Sequence, residues 1–159
     1  MKYRADFVTN SSSSSFLLAF RDQEDGVKQI ESLRDERNSA SIDTLLEDFR
    51  STEPLSRAYA EHFAYSELRN EAEFDMVMAF YDRKLWPGTD YAAFMAKLGS
   101  PEGQEKIEEL TQKKLKDVKR RMDGSDHFVM LDYSDHDNPM LEHEILPDAP
   151  FTAAWVSRH

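Results

Sequence analysis

Cysteine is absent from the 159 residues, which excludes disulfides, thiolate nucleophiles and cysteine-ligated zinc. Glycine is scarce: five scattered residues leave no Gly-rich phosphate loop, dinucleotide fingerprint or G-x-S-x-G elbow. Long apolar runs are also missing. The longest near the start, Phe16 to Phe20, is far too short for a signal-peptide core or a membrane span. Positive charge is the fourth shortage. Twenty Lys+Arg stand against 31 Asp+Glu, a formal net charge of −11, which argues against non-specific binding to nucleic acid or an anionic membrane. These absences predict a soluble, cytoplasmic chain whose partner is a protein, with neither nucleic acid nor membrane as a ligand.

What is present suits a folded domain. An apolar fraction of 40% with 11% aromatics is ordinary for a globular protein, and residues 1–159 are expected to form a single domain with a real core. The stretch that organises the chain is Asp6-Phe7-Val8-Thr9-Asn10 followed by Ser11 to Ser15 and Phe16. A flexible tether seldom has core-grade residues against both ends. Tyr3, Ala5 and Phe7 alternate as in a short strand or extended arm. Ser15 to Phe20 reads as a buried strand with Phe16, Leu18 and Phe20 on one face.

The apolar period then changes to three-and-four. A first helix is expected over 25–37 (Val27, Ile30, Leu33), and a second is capped by Ser41 with Ile42, Leu45, Leu46 and Phe49 on its face. A third opens at Pro54 with Leu55, Tyr59, Phe63 and Leu68, and a fourth carries Phe74, Val77, Met78, Tyr81 and Leu85. Thr89 or Asp90 caps a fifth (Tyr91, Phe94, Met95, Leu98). Ser100-Pro101-Glu102 starts a sixth that runs to Met122. Its lysine- and arginine-rich end (Lys113 to Arg121) suits the negative end of the helix dipole and reads as a solvated face. His62, Trp86 and Trp155 read as core or half-buried residues.

Phe128 to Tyr133 and Phe151 to Val156 read as strands, and Met140 to Leu146 as a short strand or one helical turn. Too few strands lie at either end to be stable alone. The expected fold is therefore α+β: a helical insert of five or six helices packed on a small sheet formed by the N-terminal strand and two or three C-terminal strands. Such a sheet brings the serine run beside the polar C-terminal third.

That third carries the candidate chemistry. No lysine or arginine lies between Arg121 and Arg158, yet Asp135-His136-Asp137 and Glu142-His143-Glu144 do, and His159 follows. Imidazole with carboxylate suits a divalent metal held by Asp135, His136, Glu142, His143 and His159, although the spacing matches no established ligand pattern; the alternative is a solvated acidic loop. Asn10, Ser11, Ser12, Ser13, Ser14 and Ser15 form a candidate ligand-binding wall through hydroxyls and backbone amides. If the ends meet, Glu142, His143 or His159 would be the base for a serine nucleophile.

The stretch Arg4-Ala5-Asp6-Phe7-Val8-Thr9-Asn10-Ser11 through Phe16 resembles the N-terminal signature of a group of small bacterial proteins of unknown function. Ser134-Asp135, Leu141-Glu142-His143 and the final His159 resemble their C-termini. The resemblance implies that both ends belong to one unit and brings no activity with it. The leading expectation is an interaction or regulatory module acting through the polar surface of the serine run and the acidic, histidine-rich C-terminal strands. The alternatives are a small metal-dependent or Ser/His hydrolase at the junction of the two ends, and an acidic mimic or inhibitor of a basic partner.

Overall fold

The computed structural model describes residues 13–158. Both ends of the described chain contribute to one antiparallel sheet, and the helices lie between them in sequence, so the α+β expectation holds. The elements are β1 (Ser13–Phe20), α1 (Gln23–Glu31), α2 (Ser39–Ser51), α3 (Arg57–Tyr81), α4 (Tyr91–Leu98), α5 (Pro101–Met122), β2 (His127–Ser134), a π-helical turn (Leu141–Ile145) and β3 (Thr152–Arg158). The strand order is β2-β1-β3. The N-terminal strand is therefore the central one, and every residue from Ser14 to Phe20 is buried. Asn10, Ser11, Ser12 and His159 lie outside the described residues, as does the extended arm expected at Tyr3 to Phe7.

Two compact units make up the chain. One holds residues up to 60 together with 119 onwards, and the other holds Glu61–Val118. The reading of 1–159 as a single domain takes no account of this division, which falls within α3 and α5. Among the described residues no helix is long and apolar enough to cross a membrane.

In the sheet-bearing unit, alternation along β1 sends Phe16, Leu18 and Phe20 into one core with Ile30, Ile42, Leu45, Phe49, Val129, Leu131 and Phe151. Phe20 sits at its centre, edge-on to Phe49 (centroids 5.1 Å) and tilted against Phe151 (4.9 Å). Gly26 is required here, because a Cβ on it would lie 2.3 Å from Phe49 Cζ. The first helix ends earlier than expected, at Glu31, since Asn38 organises the following loop. Its side chain accepts from Asp35 N (2.8 Å) and donates to Leu33 O (2.8 Å). The second helix accordingly starts at Ser39 instead of being capped by Ser41.

The expected third and fourth helices are one continuous α3 of 25 residues. No glycine or proline interrupts Arg69-Asn70-Glu71, so nothing stops propagation there. Pro54 does not open it. Leu55 instead donates to Phe128 O (2.7 Å) in an isolated antiparallel bridge, and the Ser56 hydroxyl caps the helix by accepting from Tyr59 N (3.1 Å). In the second unit Ala72, Met76, Phe94, Leu98 and Ile107 form the core, with Phe80 stacked on Phe94 (centroids 4.2 Å). Tyr65 donates to Glu108 (2.6 Å), and that hydroxyl, with Gln112 and Arg69, holds the Glu108 carboxyl below its ordinary range.

A second polar tie lies within the sheet-bearing unit. Tyr133 O–H donates to Asp48 Oδ2 on α2 (2.7 Å) while its ring packs in the core. Burial, then the Asp48 hydrogen bond, pushes the phenol above its ordinary value of 10.0. The folded state thus holds the proton more tightly than the unfolded chain. This contribution is complete below about pH 10 and is lost as pH rises from there towards the folded pKa. Tyr133→Phe is expected to lower stability by about 1.5–3 kcal/mol at neutral pH and to flatten the alkaline decline. Urea titrations between pH 7 and 11 would show both; an unchanged alkaline slope would reject this tie.

Candidate functional site

The serine stretch is the natural starting point, and the register of β1 fixes its geometry. Ser14 faces Tyr133 and Ser15 faces Asp132 across the β1–β2 ladder. Successive side chains point to opposite faces, so the two hydroxyls leave the strand in opposite directions, and each meets a carboxyl group. Ser15 Oγ donates to Asp132 Oδ1 (2.5 Å), across the same ladder. Ser14 Oγ donates to Glu142 Oε1 (2.9 Å), on the π-helical turn 128 residues further along the chain.

Glu142 is nearly inaccessible, at 1% relative exposure. The turn places it there because its neighbour Leu141 anchors in the core and its own backbone N–H reaches Asn138 O (3.0 Å). The second carboxyl oxygen, Oε2, lies 3.2 Å from His143 Nε2, whose side chain is 48% exposed. Of the candidate residues, Ser14, Glu142 and His143 form a contiguous chain from the sheet to the surface.

Their order is not that of a nucleophile and its base. A serine nucleophile needs an imidazole or other base accepting its proton and an open face for the substrate carbonyl. Here the hydroxyl is spent on a buried carboxyl group, and the imidazole touches the far side of that group. Ser14 is itself 1% exposed, so no substrate reaches it. For Ser14 this geometry does not match the expectation that Glu142 or His143 would act as its base; Ser11, Ser12 and His159 lie outside the described residues. The ligand-binding reading is corrected in the same way for Ser14 and Ser15. They are internal residues of a central strand, the Ser14 hydroxyl committed to buried Glu142 and the Ser15 hydroxyl to Asp132, an exposed residue of β2, while Ser13 begins the strand at its half-buried end.

The metal reading finds no support among the described residues. Among the described residues no group of three or more His, Asp or Glu side chains is placed to hold an ion. Asp135, His136 and Asp137 form an exposed turn after β2, in which Asp137 N donates to Ser134 Oγ (3.2 Å). Glu142 points inward and Glu144 accepts from Arg37 (2.9 Å). Among the described residues, Asp135 and His136 belong to the solvated acidic loop and Glu142 and His143 to the tie with Ser14, and His159 lies outside them.

Two further expectations change. His62 is exposed and Trp155 is 44% exposed, so neither is a core residue. More consequential is the buried line of α3. It runs Ala60, Ala64, Leu68, Ala72 and Met76, at spacings of four. The aromatic line expected to be core faces solvent: Phe74 is 61% exposed and Tyr81 60%, with Met78 also exposed. On α4, Phe94 and Leu98 are buried while Tyr91 and Met95 are exposed. The two exposed rows join where the Tyr81 and Tyr91 rings stack, with centroids 6.4 Å apart. Tyr81 also lines an adjoining cavity of about 570 Å³ with Phe80, Leu85, Trp86 and Asp90. The loop that shapes this cavity holds Arg83 and Trp86 at positive φ, 59° and 48°, a backbone cost that only the surrounding structure sustains. The signal for this face was in the sequence: an alanine line parallel to an aromatic line on one helix means that only one of them is packed closely.

No family model, no curated protein and no solved structure matches the chain.

Proposed function

We propose that the chain is a protein-interaction module whose contact surface is the aromatic and methionine face of the Glu61–Val118 unit. The observation that carries this reading is the exposure of Phe74, Met78, Tyr81, Tyr91 and Met95 on adjoining rows of α3 and α4. Large apolar side chains exposed singly are ordinary, but a contiguous row of them next to a cavity is the usual form of a binding site. Tyrosine and methionine suit the role, the first as a rigid anchor with a polar tip and the second as an adaptable filler. The polar terminal surface expected from the sequence contributes less, because Ser14 and Ser15 are internal and the Asp135–Asp137 turn is a small solvated loop.

Site-directed photocrosslinking in producing cells tests this. A photoreactive residue at Met78 or Tyr91 is expected to give a discrete adduct with another protein, and one at His136 or His62 is not. Adducts of equal yield from His136, or none from either face position, would sink the reading.

A further inference from the structure

We propose that the cavity of about 570 Å³ beside Tyr81 is a binding site for a small aromatic anion, with Arg83 as its charge partner. This goes beyond the interaction reading, since Phe74, Met78 and Met95 take no part in the cavity. Its size lies within the range of small-molecule pockets, and its make-up is of the same kind. Phe80, Tyr81, Leu85, Trp86 and Pro87 supply apolar, mainly aromatic walls, and the charged lining residues are Arg83 and Asp90.

The backbone singles out Arg83. Helix α3 closes with Arg83 N donating to Phe80 O (2.9 Å) and Lys84 N donating to Ala79 O (2.9 Å), the paired bonds of a Schellman cap. The residue at Arg83's place in that cap is left-handed, a conformation glycine adopts freely and other residues only at a cost. Arg83 adopts it at φ 59°. Trp86 is left-handed too, at φ 48°, but its ring is used inside the unit. It lies tilted on Phe94 (centroids 5.8 Å) and carries the Lys97 ammonium over its face (4.7 Å). The Arg83 side chain has no such use. It is exposed, and among the described residues it makes no ion pair and no side-chain hydrogen bond. A cation is favoured near the C-terminal end of a helix, but Lys84, next in the chain, supplies one without a left-handed backbone. The fold therefore gives no reason for arginine at a glycine position, and a ligand does.

The class of ligand follows from the lining. A guanidinium is a planar fork that fits a carboxylate or sulfonate. Asp90 does not set the opposite preference, because its Oδ1 is committed to Ala93 N (2.8 Å) at the start of α4. Aromatic walls select a flat apolar body. A planar ring system with one negative charge meets both demands, whereas an aliphatic acid or an aromatic cation meets one.

The probe is 2-naphthoate, titrated against the full chain carrying Trp155→Phe. Trp86 is then the sole tryptophan, and its fluorescence reports the cavity; Trp155 belongs to the other unit. Saturable binding is expected, with 2-naphthylmethylammonium and cyclohexanecarboxylate each at least about tenfold weaker. Arg83→Gln should weaken naphthoate by about tenfold or more, and Arg83→Lys by less. Arg83→Gly should weaken it as much as Arg83→Gln and, by relieving the left-handed position, raise the melting temperature by about 2 °C. Stability gained as binding is lost marks a side chain kept for a ligand.

Equal affinity for the naphthyl cation would mean an unselective apolar surface and would overturn the proposal. So would naphthoate binding indifferent to Arg83→Gln, or a lower melting temperature for Arg83→Gly, which would make the arginine a part of the fold. Absence of saturable binding below about 1 mM, where affinity is too weak for a specific site, would overturn it too. None of these outcomes bears on crosslinking at Met78, so this site and the interaction surface stand or fall separately.

Discussion

Phe20→Ala should lower the stability of the sheet-bearing unit by about 3–5 kcal/mol, the range for deleting a fully buried aromatic ring. Phe20 is the last residue of the central strand, 1% exposed, and its ring is shared between Phe49 of α2 and Phe151 just before β3. Neither neighbour can close the space alone. Phe49 is already held against Gly26, where even a single Cβ would lie 2.3 Å from the ring, so its position is fixed by backbone. Phe151 is tied through its carbonyl, which accepts from Ala19 N (2.9 Å). The cavity would therefore persist, and the cost should lie towards the upper end of the range. Urea denaturation followed by far-UV circular dichroism measures it. A loss below about 1 kcal/mol would mean that the three rings repack freely and that β1 is not the keystone described above.

The same strand shows how much of the fold could be read from the chain alone. Alternation at Phe16, Leu18 and Phe20, and the instability of one strand at one end and two at the other, sufficed to place all three in one sheet. Three features escaped. The central position of β1 depends on pairing on both edges with partners more than a hundred residues away, and local pattern says nothing of that. The continuity of α3 was hidden because its apolar residues fall in two lines, and a change of line looks like a break. The division into two units falls inside α3 and α5, so no linker, proline or change of composition marks it.

Of the candidate site, the sequence made legible that the serine strand meets the polar C-terminal third, but not which side chains touch. Serine has poor strand preference and reads as loop. Its hydroxyls become tolerable in a buried strand only when each finds a partner, and those partners are Asp132 and Glu142, at separations of 117 and 128 residues. The expected meeting of the ends set Asn10 to Ser15 beside Asp135, His136, Glu142, His143 and His159, and of these Ser14, Glu142 and His143 come together. What could not be foreseen is the hydrogen-bond order, with the carboxyl group between the hydroxyl and the imidazole. That order follows from the π-helical turn, which buries Glu142 beside Leu141 and leaves His143 at the surface. The exposed face of α3 has the opposite history. Its residues were noticed for their hydrophobicity and assigned inward, since apolar periodicity gives the existence of a face without saying whether this chain covers it.

Ser14 and Glu142 make the second large prediction, because a hydrogen bond that closes the sheet onto the π-helical turn is a claim about energy as well as geometry. Glu142→Ala should destabilise the sheet-bearing unit by about 3 kcal/mol, since it leaves a cavity in a packed turn and strips the Ser14 hydroxyl of its acceptor. Ser14→Ala should cost about 1.5–3 kcal/mol, the range for a hydrogen bond to a carboxylate, because the Glu142 carboxyl then stays buried without its 2.9 Å donor. Glu142→Gln keeps an acceptor of the same shape and should lose less than Glu142→Ala. His143→Ala, at a half-exposed position, should change stability by no more than about 0.5 kcal/mol. The decisive quantity is the interaction energy from the double-mutant cycle of Ser14→Ala with Glu142→Ala, expected at about 1–3 kcal/mol. If the two changes instead add without coupling, the contact holds nothing together. If His143→Ala costs as much as Glu142→Ala, the imidazole is a structural member of the tie, and the surface end of this three-residue chain has been misjudged.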